Sequence, residues 1–343
     1  MCGVIGVTNT EGNESSDAAP LVSICVLTYN HKNYIRQCLD GIFMQRVNFP
    51  YEVLVHDDAS TDGTADIVRE YEKQYPGILK PIYQTKNQYS QKIQVGKNNN
   101  DRACGKYIAS CEGDDYWTDP NKLQMQVDFL EQHPKYAGTA HNVRVMDENG
   151  KDVPGTGYPW EPYPEHIYTR NNVELCQLPG QSASLVFKNI FADMDADARE
   201  RYYALPVIGD QRRAMLLTLY GDTYCFNKIM SVYRYCLTGN SWSASTRNRN
   251  DKGILCSSIV YMSEFAETFY HTTLDYGEYF FFEANMSILI CLRRPKPENW
   301  KVVKQILRMI ADNPKHIRAF VRKSVSQPHV VVKRLYCCAI PAI

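Results

Sequence analysis

Three carboxylates stand together in the segment Glu112 to Asp115 (EGDD), directly after an apolar run, Gly105 to Cys111, that reads as a buried strand. Side chains of one charge placed this closely repel each other, and a divalent cation between them removes that repulsion. Ligand sets made only of oxygen suit hard ions such as Mg²⁺ or Mn²⁺. The simpler alternative is a solvated acidic turn, closed by residues 118–120.

A second acidic pair, Asp57 and Asp58, follows the apolar run Val53 to Val55 and precedes a turn rich in Ser, Thr, Asp and Gly. In an open parallel α/β sheet, ligands bind at the carboxyl ends of the strands. Two acidic clusters at two such ends are therefore expected to line one crevice. This expectation favours the metal site over the acidic turn.

The elements that must position these clusters follow from hydrophobic periodicity and from turn residues. Strands are predicted over 21–28, 51–56, 78–83, 106–111, 137–146 and 181–188. Helices are expected after the first, second and fourth of these strands, and another begins at Gly209-Asp210. The segment 85–103 reads as a loop with some helix. This alternation predicts parallel strands joined by crossovers, as in nucleotide-binding sheets.

The 343 residues carry no net charge, but the charge is unevenly distributed along the sequence. Between Arg293 and Arg334 there are 12 Lys and Arg residues and only two acidic residues. A basic, partly amphipathic tail favours an anionic partner, either membrane lipid or polyphosphate. No segment is long and apolar enough to span a bilayer, and we expect no nucleic-acid partner. The 12 cysteines lack metal-binding spacing, which favours reduced thiols in a cytoplasmic protein.

The first six residues, MCGVIG, resemble the start of the N-terminal-nucleophile glutamine amidotransferases. In those enzymes a cysteine freed by removal of Met is the nucleophile, and a β-rich domain follows it. Here a polar tract, 9–19, follows instead. We interpret the similarity as coincidence or a translational remnant, and we expect residues 1–20 to form a flexible segment.

Taken in order, the motifs resemble those of the family 2 glycosyltransferases, over roughly residues 21–242. Thr28 to Asn30 match the turn after the family's first strand, and Asp57 to Asp62 match its paired acids with Ser, Thr and Asp. Glu112 to Asp115 match its metal signature, with Glu in place of the first Asp. The resemblance implies an α/β fold of the GT-A, nucleotide-diphospho-sugar transferase type: a Rossmann-like mixed sheet flanked by helices over 21–245. A mainly helical, basic extension over 246–343 is expected.

The resemblance also implies roles for single residues. Asp58 would accept the imide N–H of uracil or thymine, and Asp115 with Asp114 would hold Mn²⁺ or Mg²⁺. Asp210 would be the catalytic base, although a helix N-cap explains its position equally well. The nucleotide-sugar-binding set is Thr28, Tyr29, Asn30, Asp57, Asp58 and Asp114. Candidates for the acceptor side are Trp117, His141, Tyr233, Arg234 and Trp242, with core packing as the alternative.

The implied activity is metal-dependent, inverting transfer of a sugar from a nucleotide-diphosphate sugar, expected to be a UDP-sugar, to a hydroxyl of a glycan or lipid-linked acceptor. The implied setting is surface polysaccharide biosynthesis, at the inner face of a bacterial membrane. One alternative is a sugar-phosphate nucleotidylyltransferase, but its Gly-rich basic loop is absent from residues 29–33. The other is a catalytically silent sugar-nucleotide-binding subunit, disfavoured because every acidic motif position is present.

Overall fold

The computed structural model describes residues 19–154, 162–236, 251–293 and 297–311, with isolated positions at 295, 317–318 and 321–322. The chain divides into two compact units. The first comprises Met1–Thr169, Leu178–Ala204 and Leu216–Arg247, and the second comprises Arg170–Gln177, Leu205–Met215 and Asn248–Ile343. The MCGVIG motif lies outside the described residues. The boundary expected after residue 245 stays a prediction.

The first unit contains one mixed sheet. Its strands are β1 (Val22–Thr28), β2 (Tyr51–Asp57), β3 (Leu79–Tyr83), β4 (Tyr107–Glu112), β5 (Tyr116–Trp117), β6 (Tyr136–Met146), β7 (His166–Tyr168), β8 (Val186–Lys188) and β9 (Asp222–Arg234). The order is β3-β2-β1-β4-β8-β6-β9-β5, and β7 pairs with β9. The first four strands in this order are parallel, whereas β8 is antiparallel to both of its neighbours. The mixed sheet confirms the predicted fold class.

The helices of the first unit are α1 (Ile35–Phe43), α2 (Thr64–Gln74), α3 (Gly96–Arg102), α4 (Lys122–Gln132) and α6 (Ala196–Ala204). Helix α7 (Gly209–Thr218) begins in the second unit and ends in the first. The remaining described helices belong to the second unit: α5 (Arg170–Glu174), α8 (Asp251–Tyr270), α9 (Gly277–Arg293) and α10 (Pro297–Ala311).

The core of the first unit explains why β1 is an unbroken apolar run. Val22, Ile24 and Val26 are fully buried, and so are Ile35 and Leu39 of α1. A strand covered on both faces has no solvent side for polar residues. The Ser23 hydroxyl, near the start of β1, is buried but satisfied, because it donates to Glu52 Oε1 at 2.7 Å.

Strand register brings the two acidic segments to one edge of the sheet. Thr28 of β1 pairs with Asp57 of β2, and Leu27 pairs with Glu112 of β4. The ends of these three parallel strands therefore lie side by side. The prediction that both acidic clusters line the same edge is confirmed.

Two features of the sheet differ from the prediction. The strand expected over 181–188 is limited to Val186–Lys188, because Ser182–Ser184 form a 3-10 turn. The Gln181 side chain accepts the Ala183 N–H at 2.7 Å, which favours the turn over a strand. The long strand β9 was not predicted. Its alternation is interrupted by exposed residues 227–229, next to register shifts in its pairing with β6.

The second unit is helical in its described part, as predicted. In α10, Val303, Ile306 and Ile310 are buried, whereas Lys304 and Leu307 are exposed. The apolar Leu307 therefore does not belong to the buried face of this helix. Among the helices that the structure describes, none combines the length and apolarity needed to cross a bilayer.

Candidate active site

The acidic cluster lies in a tight turn between β4 and β5. One ligand atom from each of Glu112, Asp114 and Asp115 lies within 4.8 Å of the others. The Gly113 N–H donates to the Leu27 carbonyl at 2.8 Å, which fixes the turn against β1. A Cβ atom at Gly113 would lie 2.7 Å from Thr28 Oγ1, so a side chain at this position would displace its neighbours.

Asp115 forms the buried back of this cluster. Its side chain is inaccessible to solvent. Oδ1 accepts the backbone N–H of Arg234 at 2.9 Å, and Oδ2 accepts from Gln181 Nε2 at 2.6 Å. Burial, and then the negative charges of Asp114 and Glu112, raise the pKa of this carboxyl well above its usual range. The two donors hold Asp115 in one orientation.

Asp114 is the more accessible carboxylate, with 17% of its side chain exposed. Asp114 Oδ2 lies 3.8 Å from Nε2 of His31, a residue that the sequence reasoning did not select. Three carboxylates that repel each other, one buried and one facing solvent, fit a divalent cation by charge and by ligand chemistry. The acids present therefore fit a divalent cation, whereas the assignment of Asp115 and Asp114 as its ligands stays a prediction.

Arg234 of β9 binds the acidic turn through both its backbone and its side chain. Its guanidinium lies between the rings of Tyr34 and Tyr116, at 4.7 and 4.6 Å from their centroids. It donates to the Asp114 carbonyl and to Gln37 Oε1. Because its backbone N–H also binds Asp115, Arg234 holds both aspartates of the turn from one side.

The second acidic pair divides its contacts unequally. Asp58 Oδ1 accepts the N–H of Gln88 at 2.7 Å, and Oδ2 accepts that of Tyr89 at 3.0 Å. Asp57 Oδ2 accepts the Ser60 N–H at 3.2 Å. The buried Asp57 Oδ1 has no partner within the described part of the chain, and burial raises the pKa of this carboxyl. Asp58 thus holds the segment after β3, whereas Asp57 keeps one buried acceptor oxygen without a partner in the described part of the chain.

The predicted turn after β1 is joined to the turn after β2. Asn30, in the left-handed region with φ of 55°, donates its N–H to Ser60 Oγ at 2.9 Å and accepts the Thr61 N–H at 2.9 Å. The Lys32 N–H donates to Asp62 Oδ2 at 3.0 Å. The Ser, Thr and Asp of the second motif therefore hold the two turns together. Beside them, Thr28 is buried and Tyr29 half-buried.

Two residues predicted for the acceptor side lie in the interior. Trp117 is 1% exposed, and its Nε1–H donates to the Ala183 carbonyl at 2.9 Å. His141 is fully buried, and its Nδ1 lies 2.8 Å from the Asn142 carbonyl, while burial lowers the pKa of the ring. Tyr233 is half-buried, and Trp242 lies outside the described residues.

Asp210, the predicted base, is the second residue of α7 and lies in its first turn, one position past the helix start. The carboxylate pairs with Arg213 at 2.6 Å and is 43% exposed. It belongs to the stretch Leu205–Met215 of the second unit. Its role as base stays a prediction.

The fold and this edge of the sheet define the class of protein, a nucleotide-sugar transferase fold with an acidic cation site. Residues 23–194 match the family described as glycosyl transferase family 2. That span is half of the chain, and the chain therefore belongs to this family, as its motifs indicated.

Relatives share a little over a third of the chain. A segment of 132 residues is 47% identical to an uncharacterized protein of Mycobacterium tuberculosis, covering 38% of this chain and 37% of the relative. EpsE of Bacillus subtilis, provisionally named a glycosyltransferase, is 33% identical over 135 residues, which cover 39% of this chain and 47% of EpsE. The matched segments thus span less than half the length of each relative.

A solved structure extends the similarity to most of the fold. The crystal structure of S. aureus TarS 1-349 in complex with UDP-GlcNAc superposes with a TM-score of 0.59 and 18% sequence identity. The superposition covers 87% of this chain and 81% of that chain. At this identity the comparison shows a shared fold.

Proposed function

We propose that this chain is a metal-dependent, inverting glycosyltransferase that moves a sugar from a UDP-sugar to a hydroxyl of a glycan or lipid-linked acceptor in bacterial surface polysaccharide biosynthesis. The observation that carries the proposal is the register that brings Asp57, at the end of β2, and Glu112, at the end of β4, to the same edge of the sheet on either side of β1. A UDP-GlcNAc complex of the similarly folded TarS supports the choice of donor.

The nucleobase end of the site is assigned to Asp57. Oδ1 of Asp57 is a buried acceptor that lacks a partner among the described residues. The imide N–H of uracil would satisfy it, and a base without that proton would leave it unpaired. Asp58, which the family resemblance selected for this contact, instead holds the backbone of Gln88 and Tyr89 and so shapes the wall beside the base.

The diphosphate end of the site is assigned to the turn after β4. A bound Mn²⁺ or Mg²⁺ supplies positive charge that neutralises the departing diphosphate. Asp114 would bind this ion from the solvent side. Asp115, held by Gln181 and by the Arg234 N–H, fixes the turn from behind. Such preorganised charge stabilises the transition state without rearrangement during the reaction.

Asp210 is assigned as the base. Its carboxylate would take the proton of the acceptor hydroxyl while that oxygen bonds to the anomeric carbon. The bond from this carbon to the diphosphate oxygen breaks, and the nucleoside diphosphate leaves with inversion. Base assistance of this kind contributes about 10²- to 10⁴-fold. Arg213, one helical turn away, pairs with this carboxylate at 2.6 Å.

The C-terminal helices are assigned to an anionic membrane surface, at its cytoplasmic face. A groove of about 590 Å³ is lined by Val260 and Tyr261 of α8 and by Lys301, Lys304 and Arg308 of α10. Val260 is 49% and Tyr261 42% exposed, so apolar and cationic groups share one face of this unit. Helices of this composition lie in the lipid interface, where cations contact anionic headgroups.

The decisive test measures UDP release from a panel of UDP-sugars with Mn²⁺ and an acceptor fraction. We expect release by the wild type, and a loss of at least about 100-fold in Asp114→Ala, because charge stabilisation at a leaving group is worth that much. Asp193→Asn, at an exposed position, is the matched control. Asp210→Asn should bind UDP normally and fail in transfer.

The same assay separates the alternatives. Formation of pyrophosphate from UTP and a sugar phosphate would identify a nucleotidylyltransferase. Binding of UDP without turnover of any donor would identify a silent subunit. A wild type that neither binds UDP nor turns over a donor contradicts the proposal outright.

A further inference from the structure

His31 lies four residues before α1, and its side chain is beside the acidic turn. Its carbonyl accepts the backbone N–H groups of Tyr34 and Ile35, both at 2.8 Å. Its ring meets that of Tyr34 edge-on, with centroids 6.5 Å apart. The backbone and one side of the imidazole are therefore fixed by the protein, while 21% of the side chain stays accessible to solvent.

The contact between His31 and Asp114 has the length of a bridge through an ion. Nε2 lies 3.8 Å from Asp114 Oδ2. That is too long for a hydrogen bond, since N–H to O bonds measure about 2.7–3.2 Å between heavy atoms. Two atoms that each bind one cation at about 2.1 Å lie at most about 4.2 Å apart. A cation between Nε2 and Oδ2 fits the observed separation.

The surroundings of the second ring nitrogen of His31, Nδ1, are also consistent with Nε2 binding the ion. His31 Nδ1 and Thr28 Oγ1 are buried atoms, and neither has a hydrogen-bond partner in the described portion of the structure. Both lie close to the position of a Cβ at Gly113, at 2.9 and 2.7 Å. Histidines that bind a metal through one nitrogen donate the other N–H to a nearby oxygen. Thr28 Oγ1 is an unpartnered oxygen on that side of the ring; the two atoms are not hydrogen-bonded to each other in this structure, and Nδ1–H would donate to Oγ1 when Nε2 binds the ion.

We propose that His31 Nε2 is a ligand of the divalent cation at the acidic turn, which makes the site a mixed nitrogen and oxygen site together with Asp114. This inference rests on the proposed function, because it concerns the same cation. An ion pair of protonated His31 with Asp114 is the competing explanation. It would neutralise one of three carboxylates and leave the Nε2–H beyond hydrogen-bonding distance of its partner.

The mixed ligand set predicts a metal preference. Both ions bind oxygen well, but Mn²⁺, a transition metal, also accepts an imidazole nitrogen, whereas Mg²⁺ keeps to oxygen ligands and water. The protein should therefore bind Mn²⁺ more tightly than Mg²⁺. His31→Gln, which removes the nitrogen ligand and keeps a polar side chain, should weaken Mn²⁺ binding about 10-fold or more and leave Mg²⁺ binding nearly unchanged.

The test is pulsed electron paramagnetic resonance of Mn²⁺ bound to the full chain, with and without UDP. We expect a ¹⁴N coupling in the wild type that becomes a ¹⁵N coupling when histidine is ¹⁵N-labelled. His31→Gln should bind Mn²⁺ without this coupling. His133→Gln, at an exposed ring on α4's C-terminal side, is the matched control and should keep the coupling.

The outcomes distinguish this inference from the proposed function. Mn²⁺ bound to the wild type without any histidine nitrogen coupling overturns the assignment of His31 and leaves the proposed function standing. A coupling that persists in His31→Gln also overturns it. A wild type that binds no Mn²⁺, even with UDP, overturns both proposals.

Discussion

The Gln181 side-chain amide donates to Asp115 Oδ2 at 2.6 Å, and so links the turn after β4 to the 3-10 turn before β8. Both side chains are buried. A neutral donor at this position stabilises a carboxylate that would otherwise be buried among like charges. The acidic turn is therefore held in place by a buried side chain from a distant part of the sequence.

Gln181→Glu should destabilise the first unit, because it replaces the donor by a second buried carboxylate with the same shape. We expect a loss of about 1–3 kcal/mol in the free energy of unfolding, the cost of an unsatisfied buried group. Urea denaturation measures it. Gln91→Glu, at an exposed position, is the control and should change stability little. Equal stability of the two variants would contradict a supporting role for Gln181.

Gly113→Ala should disrupt the cation site. The added methyl group would lie 2.7 Å from Thr28 Oγ1 and 2.9 Å from His31 Nδ1. Overpacking of this kind costs about 1–3 kcal/mol, and it would push the aspartates of the turn away from β1. Calorimetry should show weakened Mn²⁺ binding. Gly96→Ala, where no atom lies within 4 Å of the new methyl group, should retain wild-type binding.

Asp57→Asn and Asp58→Asn should fail in different ways. Asp57 Oδ1 lacks a partner within the described structure, so Asp57→Asn should keep its stability and weaken UDP binding about 10-fold or more. Asp58→Asn retains one acceptor for two N–H groups and should lose about 1–3 kcal/mol of stability. Thermal unfolding and calorimetric titration with UDP separate the two effects. If Asp58→Asn weakened UDP binding and Asp57→Asn lost stability instead, the contact with the nucleobase would be assigned to Asp58.

Lys122 should make stability depend on pH. Burial lowers the pKa of this amine to about 7, and its Nζ lies 4.0 Å above the Trp117 ring. Between that value and its usual 10.5, the unfolded chain binds a proton that the folded chain does not. Stability of the wild type should therefore rise with pH across this window, by up to about 1.4 kcal/mol per pH unit.

Lys122→Met removes this dependence, so its free energy of unfolding relative to the wild type should be highest below pH 7 and fall to a constant lower value above pH 10.5. Chemical denaturation at a series of pH values measures the difference. Lys73→Met, at an exposed position on α2, should follow the wild-type slope. A constant difference between wild type and Lys122→Met at every pH would show that folding does not lower the pKa of Lys122.

Charge reversal on α10 should abolish binding to anionic vesicles. Lys301→Glu with Lys304→Glu exchanges two cations that line the groove. Each cation near an anionic surface contributes about 1 kcal/mol, so co-sedimentation with phosphatidylserine vesicles at low salt should fall at least about 30-fold. Lys73→Glu with Lys86→Glu is the control in the first unit. Wild-type protein that ignores these vesicles would remove the membrane assignment.

The parallel half of the sheet could be predicted because β1, β2 and β4 are apolar runs that end in recognisable polar motifs. Strand β9 could not, since the exposed residues 227–229 and its irregular pairing break the alternation. The different hydrogen-bond contacts of Asp57 and Asp58 could not be predicted from the sequence either. Which of two adjacent acids turns toward the site depends on the backbone, and Ala59 here adopts a φ of 63°.

Contacts between distant parts of the chain explain the remaining differences. Gln181 carries no motif, and only the folded chain places its amide beside Asp115. His31 follows a recognised turn, but its relation to Asp114 depends on the register of β1 against β4.

The bonds from Asn30 and Lys32 to residues 60–62 tie the turns after β1 and β2 into one rigid ledge. In the proposed function, such a ledge would hold the nucleotide of every donor at the same position. Selection among donor sugars would then fall to other parts of the chain.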